Sequence, residues 1–227
     1  MEAIEDQIMA GALKVGDSLP AERHLAAQLQ VSRAGVREAI RVLEGQGVLH
    51  SRVGQGPEAG TFIAALPSAA LTRFLRLHVA LSNFNLDEVV DARVMLERSS
   101  AAMAAQRADA EALDTMRRHL EHMEIPDISR EDFNDADTEF HVAIAEAGGN
   151  RLVADMTTAI RASLRRPILA AFQNLTDWPR VATMLRSQHR DILSAIEAGD
   201  AELAATLTED HIRAASAALP TLRSPGS

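Results

Sequence analysis

Apolar residues recur at three- and four-residue intervals along most of the chain. That is the period of amphipathic helices. From residue 68 to residue 219 the pattern is interrupted only by short breaks: NFNLD, EIPDIS, AGGN, TDWP and AGD. No two-residue alternation marks a strand there, so an antiparallel all-α bundle of six or seven helices is predicted. Start and stop signals place its members. Asp87 is expected to cap a helix running to about Arg107, and Asp109 one to about Met123. Ser129, with Asp132 following, starts the helix that carries ADTEFHVAIAEAGGN. Gly148-Gly149 ends it, Asn150 caps the next, and Arg166-Pro167 is expected to kink or break that one. Asp177 opens another helix and Asp200 the last.

Residues 1–66 have a different texture. PAERHLAAQL predicts a short helix with Leu25, Ala26 and Leu29 inward. QVS makes a tight turn, and Ser32 caps RAGVREAIRVLEGQG, whose Val36, Ile40 and Leu43 share one face. Two helices joined by so short a turn form a helix-turn-helix. Ser32, Arg33 and Arg37 stand on the outward side of the second helix's first turns, where a recognition helix meets base edges and phosphates. Val48–Val53 and Thr61–Ala64 read as two strands joined by GQGPEAG. This hairpin is a wing whose glycines, Gly56 and Gly60 among them, can approach a minor groove with Arg52 beside the phosphates. The fold class is thus mainly α, a winged helix-turn-helix followed by a helical bundle. The domains are 1–66 and 67–219, with a tail at 220–227.

Charge and composition narrow the function. The net charge is −9, which opposes indiscriminate nucleic-acid binding over the whole surface. Residues 1–66 hold six Lys/Arg against eight Asp/Glu, so the positive charge is concentrated on the reading face. One Trp and no Tyr leave no base-stacking platform. Cysteine is absent, which excludes disulfides and thiolate chemistry. No apolar run is long enough for a membrane span, and no apolar segment follows a basic start, so a cytoplasmic protein is expected.

Three histidines lie on apolar stripes of three different predicted helices. His141 sits beside Phe140 and Ile144, His189 on the line Leu185, His189, Ile192, and His211 on the line Leu207, His211, Ala214. Asp137 stands one turn before His141. A lone buried histidine is usually a satisfied core residue. Three with a carboxylate would be costly to bury unpartnered, and a divalent cation resolves this. Arg93 also falls where an apolar residue is expected, on Val89, Arg93, Leu96, Ser100. It pairs with Glu97 or another acid, or it faces a pocket. Arg161 and Arg165 are weaker pocket candidates and are read as surface residues in preference, His119 and His122 as solvated, and His24, His50 and His78 give no site signal.

The run GALKVGDSLPAERHLAAQLQVSRAGVREAIRVLEGQGVL closely resembles the winged helix of the GntR family of bacterial transcription regulators. The resemblance implies that Arg23, Arg33 and Arg37 contact DNA, with Ser32 and the wing glycines in support. Ala21 and His24 depart from the Ser and Glu common in relatives, so this helix start lacks a side-chain cap. The wing is also longer than the compact one of many relatives. DARVMLERSSAAMAA, DTEFHVAIAEAGGN and QHRDILSAIEAGDAELAATLTEDH resemble the FCD ligand-binding domain of the FadR-like subgroup. The metal-binding version of that domain holds a divalent cation by an Asp and a His four apart and two later His. Asp137, His141, His189 and His211 match. Zn, Ni, Mn, Fe and Co all suit this donor set. By the same resemblance Arg93 reaches the carboxylate of a small organic acid. The expectation is a homodimeric, ligand-responsive repressor on a pseudo-palindromic double-stranded operator. The alternatives are a metal-dependent enzyme, or a regulator for which the metal is itself the signal.

Overall fold

The computed structural model describes residues 1–52, 54, 59–64, 67–81 and 83–219. The chain divides into two compact units, the first ending at Leu71 and the second beginning at Thr72.

In the first unit α1 spans Glu2–Met9, α2 Glu22–Gln28 and α3 Arg33–Gly45. Strands β1 (Leu49–Arg52) and β2 (Gly60–Ile63) follow and pair antiparallel, Leu49 opposite Ile63 and Arg52 opposite Gly60. The segment before α2 adds a third, shorter edge, with Leu19 N donating to Thr61 O (2.8 Å) and Ile63 N to Asp17 O (2.8 Å). Ser32 Oγ accepts from Gly35 N (3.0 Å) and starts α3. Ala21 precedes α2 with no side-chain cap. Ile4, Leu25, Val36, Ile40, Leu43, Leu49 and Ile63 close a small core under the helices and hairpin.

The second unit is helical: α4 (Pro67–Ala80, begun in the first unit), α5 (Leu86–Arg107), α6 (Ala110–Glu124), α7 (Arg130–Ala147), α8 (Arg151–Asn174), α9 (Trp178–Glu197) and α10 (Ala201–Ala218). Asp109, Ser129, Asn150 and Asp200 each accept a backbone N–H of the first turn, as their spacing predicts. The start of α5 differs from expectation. Asn85, not Asp87, is the cap position, and its N–H donates to Glu88 Oε2 (2.8 Å). Helix α8 also does not break at Pro167. Leu164, Ile168, Ala171 and Phe172 are buried on both sides of it, and their packing keeps the helix continuous.

Helix α5 packs along α10 and also meets α7, α8 and α9. It has no single apolar face. Val89, Val94, Ala101 and Ala104 are buried, and so are Arg93, Glu97 and Ser100. The central helix of the bundle therefore carries charge into the core.

Candidate functional site

The expected reading face of the first unit is exposed. Arg23 on α2, Ser32, and Arg33 and Arg37 on α3 are all accessible. Arg37 is paired: its Nη2 lies 2.8 Å from Glu22 Oε2 and its Nε 3.2 Å from Oε1. That hydrogen bond holds the Glu22 carboxyl below its ordinary pKa. Arg52 ends β1 with its guanidinium over the Phe62 ring, 5.5 Å from the centroid. Gly60 opens β2 at φ +147°, a backbone angle that favours glycine. Gly56 lies outside the described residues.

The second unit builds a polar centre from five helices. Asp137 and His141 come from α7, His189 from α9, His211 from α10, Arg93 and Glu97 from α5, and Arg161 from α8. None is more than 6% exposed, so each needs a partner within the protein or a ligand. Glu97 is the hub. Its Oε1 accepts from Arg93 Nε (2.6 Å) and Arg161 Nε (2.8 Å), and its Oε2 meets His141 Nδ1 (2.8 Å). Arg161 Nη1 donates to Asp137 Oδ2 (2.7 Å), while Asp137 Oδ1 meets His189 Nε2 (3.0 Å). His141 Nε2 faces His189 Nε2 at 3.2 Å, and His211 Nδ1 meets Gln188 Oε1 at 3.1 Å.

Burial and neighbouring charge shift four of these groups. Burial, with the Arg161 charge added, lowers the His141 pKa to about 3. Burial and the adjacent His189 push His211 well below the ordinary histidine value. Burial alone would raise both carboxyls. The Arg161 and Arg93 charges outweigh it at Glu97, and Arg161 with the His189 hydrogen bond outweighs it at Asp137, so both stand well below the usual carboxylate range. His141 and His211 are thus disposed to the neutral imidazole form and Asp137 to the ionised carboxylate, the forms in which these groups bind metals.

One donor atom from each of Asp137, His141, His189 and His211 falls within 4.8 Å of all the others. Metal–donor bonds of about 2.1 Å set donors at most about 4.2 Å apart, so a small inward movement suffices. The outer nitrogens of two rings are held as metal-ligating histidines require: His141 by Glu97 and His211 by Gln188. His189 Nδ1 is buried without a hydrogen-bond partner. The residues present fit a divalent cation in donor type and spacing.

Arg93 has both partners that its position suggested. It bonds Glu97, and it also lines a small cavity with Asp137 and His211. Arg161 corrects the expectation of a surface residue. It is 2% exposed and bridges Glu97 to Asp137. Its place on the line Ala154, Thr157, Arg161, Leu164, Ile168 was the available signal. Arg165 does lie towards the surface, paired with Asp135. Glu97 as hub and Gln188 as the support of His211 carried no comparable signal.

Residues 1–58 match the family of bacterial regulatory proteins, gntR family, and residues 88–214 match the FCD domain. The chain is 34% identical over 206 residues to the Escherichia coli (strain K12) protein named as regulator of the L-lactate dehydrogenase operon, covering 88% of this chain and 77% of that one. It is 27% identical over 217 residues to the Glc operon transcriptional activator of the same organism, covering 93% and 84%. Among solved structures, Streptococcus agalactiae GntR superposes with a TM-score of 0.61 at 22% identity, covering 93% of this chain and 94% of that one, which shows a common fold. A winged helix joined to this helical bundle defines a DNA-binding transcription regulator, and the relatives are regulators, not enzymes. The chain belongs to the GntR family and carries an FCD domain. No helix among the described residues is long and apolar enough to cross a membrane.

Proposed function

We propose that this regulator senses a small carboxylate at a metal-containing site in its helical part, residues 67–219, and transmits it to the DNA-reading part, residues 1–66. Asp137, His141, His189 and His211 hold a divalent cation, Zn, Ni, Mn, Fe or Co. The cation supplies positive charge and open coordination positions for the acid. Arg93 supplies a directional guanidinium on the same cavity. The observation that carries this reading is the convergence of four buried donor atoms within 4.8 Å, with Arg93 on the adjoining cavity.

Arg23, Arg33 and Arg37, with Ser32, Arg52, Gly56 and Gly60 in support, form the DNA contact. The protein acts in the cytoplasm as a homodimer that sets one winged helix on each half of a pseudo-palindromic operator. The acid shifts the population of the operator-competent arrangement, and repression is relieved when it binds.

The test is operator binding by the purified, metal-analysed protein, with and without small organic acids. Arg33→Ala and Arg37→Ala should each weaken specific binding by about 1–3 kcal/mol. Full affinity in both variants would remove the assignment of the reading face. Metal titration without acid separates this reading from one in which the metal alone is the signal.

A further inference from the structure

Arg93, Asp137 and His211 bring the polar centre to the lining of the cavity beside the four donors. Val90 of α5, Leu164, Ile168 and Phe172 of α8, and Leu185 of α9 make an apolar wall. Ser216 is the one further polar residue among the described lining. The free space is about 30 Å³, room for about one water. An acid larger than a water enters only if these side chains move apart, which apolar walls do without breaking hydrogen bonds. A second charge or a distal hydroxyl entering there would lose its hydration and find few partners.

We infer that the effector is a monocarboxylate whose body beyond the carboxylate end is apolar, and that dicarboxylic and polyhydroxylated acids are selected against. This rests on the reading of the site as a carboxylate receptor. The carboxylate lies at Arg93, and the carbon chain lies against Val90, Leu164, Ile168 and Phe172. A hydroxyl on the carbon next to the carboxylate stays near the polar centre, so 2-hydroxy acids are suitable probes.

Calorimetric titration of the metal-loaded, full-length protein tests this. Affinity should rise from 2-hydroxypropanoate through 2-hydroxybutanoate to 2-hydroxypentanoate, by about fourfold per added methylene. Glycerate should bind at least about tenfold more weakly than 2-hydroxybutanoate, which has a methyl in place of its distal hydroxyl. Malate should fall below 2-hydroxypentanoate in the same way. Glycerate or malate binding as tightly as its apolar counterpart overturns this inference and leaves the carboxylate receptor standing. Absence of binding by every acid overturns both. Val90→Thr, isosteric and at a half-buried position, should weaken 2-hydroxypentanoate more than 2-hydroxypropanoate. Equal loss for the two acids would contradict the placement of the chain.

Discussion

Arg161 and Arg165 stand one turn apart on α8 in different surroundings. Arg161 is sealed among Glu97 and Asp137, whereas the Arg165 side chain is 39% exposed beside Asp135. A surface pair of the second kind contributes little, because water already screens both charges. Arg165→Ala should change unfolding free energy by less than about 1 kcal/mol. Arg161→Met removes the charge that two buried carboxylates share, and it should cost about 3–5 kcal/mol in chemical denaturation. Adding Glu97→Gln to Arg161→Met should cost less than the sum of the single changes, because the second substitution removes a charge that the first leaves uncompensated. Equal, small losses at both arginines would show that the polar centre is not the closed network described. A long arginine at the edge of an apolar stripe ordinarily extends its head to water, so its sequence position alone favours the surface. Only the meeting of α5, α7 and α8 reverses that. The histidines were legible because three imidazoles on apolar stripes, with an aspartate one turn away, have few uses in a core without a ligand.

Helix boundaries were legible wherever a capping side chain had no competitor. Asp109, Ser129, Asn150 and Asp200 each bond the amide that the spacing anticipates. At α5 the cap is Asn85, two residues before the expected Asp87, because Glu88 then reaches back to its N–H. Pro167 shows the limit of local rules. It removes one helical hydrogen bond, yet the buried side chains on both sides keep α8 continuous. The same reasoning predicts a gain at α2. Ala21 occupies its N-cap with φ −52° and ψ 143° and offers no acceptor. Ala21→Ser should add about 1 kcal/mol to the stability of the winged-helix unit, measured by denaturation of the full chain. No gain would mean that the first-turn amides of α2 are already satisfied by water at no cost.

At the scale of the whole molecule, the first compact unit presents arginines to solvent, and the second buries Arg93, Glu97, Asp137 and Arg161 against one another. The net charge of −9 leaves long-range attraction to DNA weak, so on the proposed reading recognition falls to the short list of cations on α2, α3 and the wing. In the second unit Asp137 and Glu97 balance Arg93 and Arg161. A divalent cation added to that balance makes the site positive and ready for an anion. Metal bound only by the folded unit must stabilise it. At a free concentration about a hundredfold above its dissociation constant, the gain is about 2.7 kcal/mol. Chelation should therefore lower the melting temperature of the wild-type chain. His141→Ala keeps the Arg161 bridge between Glu97 and Asp137 but removes one donor, and its melting temperature should be much less sensitive to chelator. The comparison, made by scanning calorimetry at matched protein and metal concentrations, separates a bound cation from a merely structural histidine. An equal downward shift in both proteins would place the metal elsewhere. No shift in either would leave Asp137 and His189 as a hydrogen-bonded core pair.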